Sequence, residues 1–125
     1  MATIKAFSNM DQSKKLAEIL PLESADMHYC LEQRDIASGY KIGITPYTKA
    51  KSFIGKYNII DVQPAWSIAA LLGVLPKIIN NETLFIETSA ALWHIGYRNI
   101  YTARVDNPVD ACVNMIERLH ELKML

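Results

Sequence analysis

The chain has 125 residues, 50% of them hydrophobic, and balances 13 Lys and Arg against 13 Asp and Glu. That length suits one domain, which buries roughly two-thirds of its unfolded surface and needs no metal or disulfide staple. The apolar content argues against disorder, and the zero net charge excludes a whole-molecule basic field for gripping nucleic acid.

Residues 1–6 carry no long apolar stretch, so no secretory signal is expected. Ser8 or Asp11 can cap a first helix that carries Leu16, Ile19 and Leu20 and ends before Pro21. Met27, Tyr29 and Leu31 then alternate with His28, Cys30 and Glu32, which predicts a strand. Turn chemistry at residues 35–39 leads to a returning strand in which Tyr40, Ile42 and Ile44 alternate with Lys41, Gly43 and Thr45, until Pro46 stops it.

The stretch from Thr45 to Gln63 is too apolar for a solvated loop, with Tyr47, Phe53, Ile54, Tyr57, Ile59 and Ile60. It admits a short helix around Lys49 to Ile54 or another strand around Tyr57 to Val62. A second helix is expected after Gln63-Pro64, with Ile68, Leu71, Leu72 and Leu75 as its stripe and Pro76 as its stop. The longest apolar run, Ile68 to Leu75, is too short to span a bilayer.

Asn80-Asn81 reads as a turn and Thr83 to Thr88 as a short strand. Ser89 to Ala91 connects to a strand over Leu92 to Tyr97, which Gly96 is expected to bulge, and Ile100 to Val105 continues extended. The last helix has the clearest signature. Asn107 can cap it, Pro108 suits its first position, and Asp110 faces the positive end of its dipole. Val109, Cys112, Val113, Ile116 and Leu119 follow at helical spacing, so one face must be buried. The order is helix, hairpin, helix, hairpin, helix: an α+β fold with three helices packed on a small antiparallel sheet or on two hairpins. Ile19-Leu20-Pro21 and Val74-Leu75-Pro76 sit at matching places, either a faint duplication or the common use of Leu-Pro to end helices.

Four segments together are distinctive: Gln12-Ser13-Lys14-Lys15-Leu16-Ala17, Ser24-Ala25-Asp26-Met27, Pro64-Ala65-Trp66-Ser67-Ile68 with Ala70-Leu71-Leu72, and Asp106-Asn107-Pro108-Val109-Asp110-Ala111-Cys112. As a set they resemble a group of small uncharacterised proteins of gut-type anaerobic bacteria and their phages. The resemblance covers both ends and the middle helix. It implies a stand-alone domain with a link to mobile genetic elements and supplies no catalytic residue.

Candidate chemistry is sparse. His28 and Cys30 point to one side of a strand, but a metal would need Cys112 or His120 as a further ligand. Glu117 and His120 form a single E-x-x-H step, whereas di-iron bundles use two. Ser67, Cys30 and the three histidines are raw material for nucleophilic catalysis, yet no G-x-S-x-G elbow frames a serine. The five glycines are scattered and form no phosphate loop. No catalytic residue, metal or cofactor is assigned. Cys30 and Cys112 read as buried free thiols in a reducing cytoplasm.

Two surfaces remain. Trp66 either covers the start of the second helix or lines a partner-binding groove with Asp26 and Tyr29. No acidic residue occurs between Asp35 and Asp61, while Lys41, Lys49, Lys51 and Lys56 interleave there with Tyr40, Tyr47, Phe53 and Tyr57. Positive charge beside aromatic faces suits single-stranded nucleic acid or another polyanion, and equally a solvated edge that blocks aggregation. The favoured expectation is a non-enzymatic protein-interaction or accessory module, cytoplasmic, phage-associated and able to form a homodimer. A polyanion binder using Lys41 to Tyr57 comes second, and a small hydrolase or metal-binding protein third.

Overall fold

The computed structural model describes residues 5–125; the start of the segment read for a secretory signal lies outside them. Its organising element is helix α4 (Pro108–Glu121). Asn107, in extended conformation, accepts a hydrogen bond from the Asp110 backbone N–H at 2.8 Å, and Pro108 occupies the first turn. The expected stripe is buried, and Ala111 and Met115 join it, so the helix packs over more than one face. It rests on three neighbours: helix α1 (Met10–Ile19), helix α3 (Ile68–Val74) and strand β7 (Leu92–Gly96). Leu16, Trp66, Leu71, Leu75, Ile95 and Tyr97 converge with its apolar side chains in the core.

Asn9, not Ser8 or Asp11, caps α1. Its side chain accepts from the Gln12 N–H while the Gln12 side chain accepts from the Asn9 N–H, a reciprocal capping box. Ser8 is unavailable because it is buried one residue earlier, 2.7 Å from Ser13 Oγ. Gln12 also ties α1 to α4, its amide nitrogen donating to Asp110 Oδ1 at 2.6 Å, beside Lys5 Nζ at 2.8 Å. Burial alone would push the Asp110 carboxyl up. The bonds from Lys5, Gln12 and Asn107 outweigh it and hold the group below its ordinary value.

The main sheet has strands β1 (Met27–Glu32), β2 (Lys41–Gly43) and β3 (Ile59–Ala65) in the order β2-β1-β3, each pair antiparallel. Both readings of the Thr45 to Gln63 stretch hold in part. Helix α2 (Tyr47–Ala50) and a 3-10 turn over Lys51–Phe53 come first, and β3 follows. The expectation that the second helix begins directly after Gln63-Pro64 is corrected: those residues end β3, and α3 starts only after Ser67 caps it. Proline is tolerated there because β3 is an edge strand, where a missing N–H breaks no ladder bond.

The region expected as one strand over Thr83 to Thr88 is two. Leu84 donates its N–H to Lys77 O at 2.9 Å, which separates the ribbon β4 (Ile78–Ile79) and β5 (Glu82–Thr83) from the ribbon β6 (Phe85–Ser89) and β7. Asn80-Asn81 and Ala90-Ala91 close these ribbons with positive φ at both residues of each turn, as primed turns require. Gly96 makes no bulge, since the β6–β7 register is uninterrupted. A Cβ there would sit 2.7 Å from Ile100 O, so close backbone approach is what demands glycine. The fold is therefore α+β, but with four helices among the described residues and more ribbons than the simple alternation predicted.

Ile116 is fully buried at the centre of α4. Ile116→Ala is expected to lower the unfolding free energy by about 2–5 kcal/mol, read as a drop in the urea midpoint with an unchanged slope.

Candidate functional site

Trp66, Asp26 and Tyr29 do come together, but around an internal clamp. Trp66 is 0% exposed, and its indole N–H donates to Ser24 Oγ at 2.9 Å. Its backbone exchanges two bonds with Ser8, N–H to Oγ at 3.1 Å and C=O from the Ser8 N–H at 2.9 Å. Tyr29 donates its hydroxyl to Ser8 O at 2.7 Å and meets Phe7 edge to face. Asp26 accepts from the Ser67 N–H at 2.9 Å and the Ser67 hydroxyl at 2.5 Å, while Ser67 caps α3. The groove reading of Trp66 is thus corrected. The indole faces no solvent, because this cluster fastens the N-terminal segment and α3 to the sheet.

The basic segment lies on the outside. Lys41, Lys49, Lys51 and Lys56 are all exposed. Its aromatics are not equivalent: Tyr47 and Phe53 are half-buried, whereas Tyr57 is 76% exposed and meets Phe53 edge to face at 6.0 Å. Tyr40 donates its hydroxyl to Asp61, and that bond is the main reason the Asp61 carboxyl sits below its usual range. Isoleucines add what the charge pattern did not announce. Ile44 is 85% exposed, and Ile42, Ile54 and Ile60 are also open to solvent. Ile42 belongs to β2, at one edge of the main sheet.

The other candidates are used structurally. His28 Nδ1 lies 2.6 Å from Thr45 O, and its ring fills the space a Cβ at Gly43 would need. The thiols are free, but only Cys112 is buried, which pushes its pKa up to about 12; Cys30 is half-buried. Glu117 and His120 line an open groove of about 230 Å³ between α1 and α4, with Lys15, Glu18, Ile19 and Glu121. Among the described residues, no three His, Cys, Asp or Glu side chains are grouped to hold a metal.

One constellation was not anticipated. Glu87 on β6 and His94 on β7 are cross-strand partners, and His94 Nδ1 lies 3.2 Å from Glu87 Oε1. Arg104 donates to the same oxygen at 3.1 Å. The imidazole packs edge to face against Phe85 and Tyr101, and its Nε2 is buried without a partner among the described residues. The two residues are placed symmetrically about Ala90-Ala91, so pairing across that turn was the available signal.

No protein family, curated protein or solved structure matches this chain.

Trp66→Ala is expected to cost about 3–5 kcal/mol, measured by chemical denaturation. The bond from His94 is the first cause holding the Glu87 carboxyl below its usual range. A depressed carboxylate contributes stability above its unfolded pKa and loses it as pH falls through the folded value. Thermal melts of wild type and Glu87→Gln should therefore differ most above the ordinary glutamate pKa and converge only once the pH has fallen through the depressed folded value.

Proposed function

We propose that this protein is a non-enzymatic interaction module that engages another protein through β2 and the segment following it. The observation that carries the reading is Ile44, 85% exposed beside a strand edge and followed by surface lysines. Burying one aliphatic side chain is worth about 1.5–3 kcal/mol. A lone exposed isoleucine needs no explanation, but Ile42 and Ile44 stand open within two residues of one another at and just beyond the β2 edge, which supports a contact surface there.

A second reading, binding of single-stranded nucleic acid or another polyanion, is favoured by one observation: the open ring of Tyr57 beside Lys56. Bases stack on aromatic planes, and aliphatic isoleucines offer none, which places the protein-binding reading first.

The test pairs tagged wild type with Ile44→Asp, whose melting temperature should stay nearly unchanged because the side chain is solvated. Cross-linking and capture from the native host should recover a protein with wild type and lose it with the variant. A captured set indifferent to the substitution would overturn the reading. A low-salt oligonucleotide shift abolished by Lys51→Glu with Lys56→Glu would select the second one.

A further inference from the structure

Resting on that reading, we infer that the protein bound at β2 is a second copy of this chain, added edge to edge so that two three-stranded sheets become one of six. β2 is terminal in the order β2-β1-β3, and among the described residues no strand lies on its outer side. An edge strand of this kind presents backbone N–H and C=O groups to an added strand. The opposite edge is blunted, because Pro64 in β3 has no N–H to donate. A contact of β2 with itself is isologous and closes at a dimer.

The side chains suit a twofold contact. Tyr40, Ile42 and Ile44 fall at alternate positions across β2 and its flanks, and all three are exposed. Alternate residues of an extended chain share a face. An antiparallel pairing about a twofold axis through Ile42 sets each Ile42 against the other. The same register sets Tyr40 against Ile44 of the other copy, an aromatic beside a β-branched side chain, which is a stabilising cross-strand pair. Tyr40 keeps its hydroxyl on Asp61 in this arrangement. Lys41 falls opposite Gly43, so no ammonium faces its own mate directly across the joint. The contact needs nothing from the Lys41 side chain, which is engaged within its own chain.

Other registers fit less well. Moving the axis to Lys41 opposes like charges, and moving it to Gly43 leaves the centre of the joint without side chains. The three residues of β2 supply only a few backbone bonds, so the apolar pairs carry much of the affinity. A contact of this size is a weak one and fills as protein concentration rises.

Sedimentation velocity of the purified protein, from micromolar to millimolar concentration, tests this. The wild type should pass reversibly from monomer to dimer, and Ile44→Asp should weaken self-association by about tenfold or more. Register is read by oxidative cross-linking in a Cys30→Ser background. Directly opposed Cα atoms of an antiparallel pair stand about 4.5–5.5 Å apart, within disulfide reach. Ile42→Cys should therefore give a covalent dimer, whereas Ile44→Cys, which faces Tyr40 of the other copy, should not. A monomer at every concentration, association indifferent to Ile44→Asp, or cross-linking stronger with Ile44→Cys than with Ile42→Cys would overturn the inference. If the purified protein stays monomeric while capture from the host still depends on Ile44, the inference falls alone; if that capture is indifferent too, the interaction-module reading falls with it.

Discussion

The burial of α4 on more than one side is the constraint from which the rest of the molecule follows. A helix that hides Val109, Cys112, Val113, Met115, Ile116 and Leu119 cannot settle on a single sheet face. It needs partners around its circumference, and α1, α3 and β7 supply them. The polar end of the helix is closed with the same economy. Asp110 caps nothing itself, yet it gathers Lys5, Gln12 and Asn107, so the start of α4, the start of α1 and the N-terminal segment share one carboxylate.

The main sheet stands to one side of this arrangement. Its link to the helices runs through Ser8 and Trp66, whose paired hydrogen bonds, one to the Ser8 hydroxyl and one between backbones, join the end of β3 to the chain before α1 beside the buried indole. Fastened there, the sheet has its far edge, β2, away from the helical core. Stability and accessibility are thereby separated: the interior is built around α4, and the exposed isoleucines Ile42 and Ile44 lie at β2 and just beyond it.

How much of this was legible in the sequence depended on how local each cause was. The cap and stripe of α4 are carried by neighbouring residues, and the Asn107-Pro108-Asp110 grouping located its start correctly. The strand at Met27 to Glu32 was equally plain from its alternation. Pro64 misled because proline ahead of an apolar stripe reads as a helix entry, while its tolerance in β3 depends on that strand being at an edge, a property of the assembled sheet. Ser8 misled for a similar reason: its hydroxyl is taken by Ser13 and the distant Trp66, leaving Asn9 to cap. The Glu87–His94 pair needed the strand register, and the exposure of Ile44 needed the assembled sheet.

The turn at Ala90-Ala91 has a consequence for how the molecule assembles. Alanine pays about 1–2 kcal/mol to enter the left-handed region, a penalty glycine avoids and asparagine softens. Two in succession make the β6–β7 ribbon a poor nucleus by itself, since an isolated hairpin is marginal even with a favourable loop. It becomes worthwhile only when Ile95 and Tyr97 dock into the apolar interior formed with α4. The ribbon is thus held closed by what it packs against and not by its own loop.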